Sequence, residues 1–444
     1  MKIADVYAHY FAIEQLIETF DDNIKFSKAT GIDNLSPESF VERLEDQVGI
    51  LSRKAVQGEY EFTKYKLKLI SKGRGKIPRE ISIPTVRDRI ALRALCDFLT
   101  EIYKNTIVFD LPQKIIRNVK QDFYSGNFDA CIKLDVADFY PSIKHGELIS
   151  RLGRKIRSKT IKNFIDSAIS TPTVSVSRPS DMKSDKGVPQ GLAISNILAA
   201  IYLLNIDRQL HSLVTFKYYR YVDDVLIFCA LSESDEIAKQ VIKKFKKIGL
   251  VVYDPKKRPD KSSIGKIEAG FDYLGYKFSE RCVTARTSSV ERLKLSLVSI
   301  LTSHKYSKKK NKGFLLWRLN LRITGCVYEN KSKGWLFFFS EIEDESLLHR
   351  MDFYVKKLLE RFDVQVEPKK FVRSYYELKH RKYETNYIPN FDDYGIKEMK
   401  VVLTDYFGLD ISTYNSEKIE YEFKKRLSKQ VKDLQIDVMD FSYN

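Results

Sequence analysis

Tyr219-Arg220-Tyr221-Val222-Asp223-Asp224-Val225-Leu226-Ile227-Phe228 is the stretch on which the reading of this chain turns. An aromatic and β-branched run leads in, two adjacent carboxylates stand at the centre, and an apolar run leads out. That order marks a tight β-hairpin with the acidic pair at its tip and both arms buried. Neighbouring carboxylates repel each other and resist joint ionisation. Divalent cations relieve the repulsion, and hard oxygen ligands suit Mg²⁺. The pair alone is weak evidence, because Asp21-Asp22 and Asp392-Asp393 also occur, in polar settings that read as solvated loops. A site here needs partners from other segments.

With 444 residues the chain is long enough for two or three domains. Its content of 43% hydrophobic and 12% aromatic residues can bury a core and excludes a disordered tail. The 76 Lys and Arg outnumber the 59 Asp and Glu, a net charge of +17. Such an excess points first to a polyanion, above all nucleic acid. A membrane surface comes second, but no apolar run approaches the ~20 residues of a transmembrane helix. The start, Met1-Lys2-Ile3-Ala4-Asp5-Val6-Tyr7, lacks a signal peptide's apolar core, so a cytoplasmic location is expected. Cys96, Cys131, Cys229, Cys282 and Cys326 are scattered and read as reduced, buried fillers. The six histidines are equally dispersed, which disfavours a zinc site.

Upstream, residues 1–56 read as amphipathic helices broken at Thr30-Gly31-Ile32-Asp33. Ser36-Pro37-Glu38 is a helix start, with Ser as N-cap and Pro in the first turn. Tyr60 to Ile70 alternates like a strand, and Arg79 to Pro84 reads as a second one. The loop between them, Ser71-Lys72-Gly73-Arg74-Gly75-Lys76, reads equally as a solvated turn or as a mobile basic tip over a phosphate. A helix begins near Val86. The run Cys131 to Asp135 reads as a strand ending on an acid, with Pro141 stopping its continuation. A buried acid there needs a partner, either an arginine or a metal. Lys186-Gly187-Val188-Pro189-Gln190-Gly191 joins a turn to an apolar helix running to about Leu204. It reads as an ordinary junction, or as a place where Gly191 lets a ligand approach and Gln190 offers a donor and an acceptor.

After the acidic pair come a lysine-rich helix (Glu233 to Ile248), a strand with a basic turn (Gly249 to Lys257) and a hairpin with exposed aromatics (Gly270 to Phe278). Lys305 to Lys312 is nearly all base, and Glu341 onward reads as a helical tail rich in Tyr and Lys.

In this order the segments resemble the ordered motifs of prokaryotic reverse transcriptases: group II intron, retron and, most of all, defence-associated or abortive-infection enzymes. Thr30-Gly31-Ile32-Asp33 looks like the N-terminal extension motif of the intron enzymes, and Arg79 to Arg89 looks like their fingers motif. The likeness runs from about Gly31 to Phe278 and thins beyond Val290, where Thr324-Gly325 resembles a thumb motif but Cys326-Val327-Tyr328 departs from it.

The resemblance implies an α+β, right-hand polymerase fold. Residues 1–130 would form the N-terminal extension and fingers, and 131–280 the palm, with a fingers insertion at about 145–185. Residues 281–345 would form a thumb-like basic segment and 346–444 a helical C-terminal region. It also implies an RNA-directed DNA polymerase using two Mg²⁺ ions, with Mn²⁺ as the alternative. Asp135, Asp223 and Asp224 would hold the metals, together with the carbonyl of Val136. Tyr140, following Asp138 and Phe139, would lie under the sugar and exclude ribonucleotides. Arg79, with Arg74 or Lys76, would hold the triphosphate. Gln190 and Gly191 would touch the base pair and sugar, and Lys257 (or Lys256) would protonate pyrophosphate. Tyr273-Leu274-Gly275-Tyr276 would grip the primer.

The implied partners are an RNA template, a DNA product and deoxynucleoside triphosphates. The expected setting is a noncoding RNA copied in antiviral defence, with oligomerisation left open. The alternatives are a retron enzyme making branched RNA–DNA, template-independent or protein-primed synthesis, and an RNA-binding scaffold without catalysis.

Overall fold

A computed structural model describes residues 2–71, 75, 77–382 and 384–438. The chain divides into two compact units. The first comprises the chain up to Phe109 with Ala130–Ile264, and the second Asp110–Asp129 with the chain from Gly265 on.

At the heart of the first unit is an antiparallel sheet in the order Lys217–Tyr221, Asp224–Cys229, Ala130–Ala137, Val251–Val252. Strand alternation sorts its residues by face. Ile132, Leu134 and Val136, with Val225 and Ile227 on the neighbouring strand, join the main apolar core. The helices Ser195–His211 and Ser234–Lys247 supply Leu198, Ile201, Val241 and Phe245 to that core. Burying one sheet face this way fixes the register, since a slip of one residue would drive Lys133 and Asp135 into the apolar layer. The acid-bearing face is therefore the one turned away from the core.

Beside it, Tyr65–Ile70 pairs antiparallel with Arg79–Ile83. Thr85 caps the following helix, Val86–Tyr103, with Oγ1 accepting from the Asp88 amide. Asp88 is fully buried and accepts from Tyr60 (2.6 Å), the Thr63 amide (3.1 Å) and the Thr85 hydroxyl (2.7 Å). Burial raises its carboxyl pKa, and these donors offset only part of the rise. Gly31 abuts this helix start: a Cβ there would lie 2.6 Å from Thr85 Cα, so only glycine lets the N-terminal segment dock.

Several elements differ from the sequence reading. The first strand begins at Tyr65. Tyr60 and Phe62 stay outside it because their rings pack against Phe164, at 5.6 and 5.2 Å between centroids. The central strand runs through Asp135 to Ala137 before the short Phe139–Ser142 helix begins. The apolar helix extends past Leu204 to His211, and the strand after the lysine-rich helix shrinks to Val251–Val252.

The second unit holds the Phe271–Tyr273, Tyr276–Phe278, Val283–Ala285 sheet and the Cys326–Tyr328/Lys331–Lys333 hairpin. Its long helices include Thr287–Lys305, Glu345–Phe362 and Ser416–Gln435. Of the aromatics expected to be exposed at Gly270–Phe278, Phe271 is half-buried and the other three are buried: Tyr273 is 1% exposed and Tyr276 and Phe278 are 0%. The Tyr276 hydroxyl donates to the Phe338 carbonyl at 2.5 Å, which lets the ring enter the core without an orphaned polar atom. Asp392 is exposed, as expected, and its carboxylate accepts from the Glu329 and Asn330 amides at 2.7 and 2.8 Å. It thereby braces a turn in which both residues have positive φ. Among the described residues, no helix is long and apolar enough to cross a membrane.

Candidate active site

The first-unit sheet places Asp135 directly opposite Asp224 in the antiparallel register. Cross-strand partners share a face, with Cβ atoms about 4.5–5.5 Å apart. Asp223 precedes Asp224 in the turn, so the register sets two carboxylates from distant segments opposite each other with a third next in the chain. Among the described residues, no group of three or more His, Cys, Asp or Glu side chains is drawn together as a finished metal cage. The donor chemistry nevertheless fits a hard divalent cation: opposed carboxylates are costly together unless positive charge joins them.

One positive charge is already there. Lys261 Nζ lies 3.3 Å from Asp135 Oδ2, and its ammonium rests 5.7 Å from the centre of the Tyr253 ring. The same loop holds the strand from behind. The fully buried Ser262 accepts from the Asp135 amide at 3.1 Å, and the Tyr253 amide donates to the Asp135 carbonyl. Among six residues that include four cations, Lys256 to Lys261, sequence alone could not single out the one reaching the carboxylates. Lys256 turns instead to Asp235 at 3.2 Å, and the Lys257 amide closes the turn onto the Asp254 carbonyl.

Two backbone positions at the site are unusual. Val222 has φ +55° and Asp138 has φ +43°. For a β-branched residue that region is an outlier, costing about 1–3 kcal/mol, and it persists only where the surroundings hold it. Arg220 supplies such a hold, since its Nη1 donates to the Val222 carbonyl at 2.8 Å.

Tyr140 is buried, and its hydroxyl donates to Asn196 Oδ1 at 2.5 Å. Burial raises the phenol's pKa, the Asp223 charge adds to the rise, and Arg220 and Arg79 oppose it. The Asp223 and Arg79 charges thus act on the Tyr140 hydroxyl with opposite sign. Arg79 opens its strand, whereas Arg74 and Lys76 lie outside the described residues. Phe139 is buried and Asp138 leads into the short helix.

Gln190 belongs to the same unit, and its carbonyl accepts from the Ser82 amide at 2.8 Å. The space at Gly191 is not open to a ligand in the Cβ direction. A Cβ there would meet Ile81 Cγ2 at 2.8 Å and the Ser82 carbonyl at 3.1 Å, so glycine serves strand docking, and φ +98° suits it. Tyr273, Leu274, Gly275 and Tyr276 fall in the second unit. Leu274 and Gly275 both have positive φ, as a two-residue hairpin turn requires. With both rings buried, this hairpin offers backbone and turn atoms rather than tyrosine faces.

Residues 70–278 match the family model described as reverse transcriptase (RNA-dependent DNA polymerase). Protein YkfC of Escherichia coli (strain K12) is 26% identical over 198 residues, 42% of this chain and 51% of that protein. An uncharacterised 91 kDa protein in a cob intron of Schizosaccharomyces pombe is 30% identical over 163 residues, 35% of this chain and 20% of that protein. The matched part thus spans about half of one curated relative and a fifth of the other. Apo telomerase from Candida tropicalis aligns at 13% identity and TM-score 0.42, over 86% of this chain and 64% of that one. The same telomerase with a fragment of telomeric RNA aligns at 14% and TM-score 0.41, over 92% and 68%. Residues 70–278, which carry all three carboxylates, are thus the part of the chain that is similar to the reverse transcriptase (RNA-dependent DNA polymerase) family.

Proposed function

We propose that the chain is an RNA-directed DNA polymerase that extends DNA with deoxynucleoside triphosphates. The observation that carries this reading is the register pairing of Asp135 with Asp224 beside Asp223, inside the segment that matches the family. Two Mg²⁺ ions held there would supply Lewis-acid activation of the attacking hydroxyl and stabilise charge on the leaving oxygen. Asp135, Asp223 and Asp224 are the residues to hold them, with the Val136 carbonyl adjoining. Arg79 binds the triphosphate, and its electrostatic link to Tyr140 supports a place beside the nucleotide. The Tyr140 ring, tethered by Asn196, excludes a 2′-hydroxyl because a fixed ring cannot swing aside. Gln190 and Gly191 form the turn beside the base pair. Lys261 is better placed than Lys257 to neutralise departing pyrophosphate, since it already stands at Asp135. The hairpin at Tyr273–Tyr276 contacts the primer through its backbone.

The template is an RNA, and the net charge of +17 suits that partner. The resemblance to defence-associated enzymes makes a noncoding RNA in antiviral defence the setting we favour. The test is to purify the chain with its bound RNA, add Mg²⁺ and labelled nucleotides, and sequence the product. Wild type should incorporate deoxynucleotides, and Asp223→Ala with Asp224→Ala should lower incorporation by on the order of a thousandfold, several kcal/mol of lost stabilisation. Near-wild-type incorporation by a folded double variant would overturn the assignment.

A further inference from the structure

The hairpin that presents Asp223 and Asp224 is bolted to the helix beneath it by a charge pair that lies outside the set of carboxylates. Arg220 sits in the incoming strand and Asp207 on the Ser195–His211 helix. The guanidinium meets that carboxylate along two edges, Nε to Oδ1 at 2.8 Å and Nη2 to Oδ2 at 2.5 Å. Its remaining Nη1 turns back to the carbonyl of Val222 at 2.8 Å. The Tyr218 hydroxyl donates to Asp207 Oδ1 at 3.0 Å, so the acid is itself held in orientation. Both side chains are mostly shielded, at 14% and 16% exposure, which makes the pair more than a surface contact.

The bond to Val222 is the telling one. A structural ion pair between strand and helix needs only the two bonds to Asp207. The third reaches the one residue of the turn whose backbone is strained, immediately before Asp223. A planar fork can bridge an acid and a carbonyl at fixed geometry, and a lysine ammonium cannot reproduce it.

We propose that Arg220 and Asp207 are positioning residues that hold the Val222 turn in its left-handed conformation, so that Asp223 and Asp224 are presented to divalent cations already oriented. This rests on the polymerase reading above for what the cations do, but the clamp itself can be read without catalysis. Preorganised ligands bind more tightly because less freedom is lost on binding. Glycine at position 222 would adopt the left-handed conformation unaided. The clamp should therefore matter less once Val222 is replaced.

The experiment is a Mn²⁺ titration of the full-length chain followed by electron paramagnetic resonance of free Mn²⁺, without nucleotide. It is run beside incorporation assays at varied Mg²⁺. Arg220→Met, Arg220→Lys and Asp207→Asn should each weaken Mn²⁺ binding by about tenfold or more and raise half-saturating Mg²⁺ in parallel. The KM for deoxynucleotide at saturating metal should stay within about twofold. Adding Val222→Gly to Arg220→Met should recover most of the lost Mn²⁺ affinity. Folded variants that bind Mn²⁺ like wild type would overturn the proposal, as would a loss that Val222→Gly does not recover. If Arg220→Met does not fold, Asp207→Asn and Arg220→Lys carry the same test. Normal clamp behaviour in a chain that incorporates no nucleotide would sink the polymerase reading and leave the clamp standing.

Discussion

In the second unit, Arg322 meets Asp437 at 2.6 Å with side chains 7% and 1% exposed, and Ser296 donates to the same carboxylate. Glu341, 5% exposed, is met by Arg117 at 2.8 Å. There each of these buried carboxylates is met by an opposite charge, and each pair joins elements within the unit. In the first unit, like charges stand opposite each other at Asp135 and Asp224, with Asp223 next in the chain, near a left-handed valine and a tethered tyrosine. The second arrangement costs stability that folding alone gives no reason to spend. Local conflict of this kind marks functional sites, whereas mutually satisfied pairs mark architecture.

The contrast is sharpest in what single substitutions should do. Arg322→Leu strands Asp437, whose carboxyl is already pushed up by burial, without its counter-ion. Breaking such a pair costs about 3–5 kcal/mol, and adding Asp437→Leu should return most of it. Urea denaturation of the three proteins checks this. If the single variant is as stable as wild type, the pair does not do the structural job assigned to it.

Tyr140→Ala should act on selectivity. Relative use of ribonucleotides over deoxynucleotides should rise about tenfold or more, roughly 1.4 kcal/mol. The ratio is internal to each protein, so lost stability does not confound it. An unchanged ratio would mean that the ring does not lie under the sugar.

The smallest effect concerns acid. Glu343 feels burial, which pushes its carboxyl up, but Lys120, Tyr124 and the Val283 amide outweigh it and leave the pKa lowered from 4.5. A depressed carboxyl contributes stability above the ordinary glutamate range and loses it as the pH falls through the folded value. Solvent screening keeps the contribution below about 1 kcal/mol. Hydrogen exchange in the Pro112–Tyr124 helix, corrected for intrinsic rates, should lose protection below pH about 4.5 in wild type and much less so in Glu343→Gln. Equal pH dependence in both would contradict the assignment.

What the sequence made legible was the local part. The hairpin and the central strand announce themselves through β-branched and aromatic runs, and the resemblance to reverse transcriptases, not the runs themselves, implied that their three acids share a site. Contacts fixed by tertiary packing were not legible. Nothing in Pro189-Gln190-Gly191 says that Ile81 and Ser82 fill the space beside the glycine. Tyrosine is as much at home in a core as on a surface, so Tyr273 and Tyr276 looked exposed until Phe338 supplied a carbonyl for Tyr276. The Arg220–Asp207 clamp joins strand to helix across 13 residues, a spacing that no helix or strand period flags. A Pro-Gly turn or a run of lysines names a place, and packing decides which atom faces it.

Asp135 is the decisive residue, because it stands opposite the acidic turn from a segment far away in the chain. The most direct measurement is single-nucleotide incorporation by Asp135→Asn, a nearly isosteric change, against wild type at saturating Mg²⁺. Incorporation lowered by on the order of a thousandfold, with an unchanged denaturation midpoint, is the predicted result. A folded Asp135→Asn chain that incorporates deoxynucleotides near the wild-type rate would contradict it.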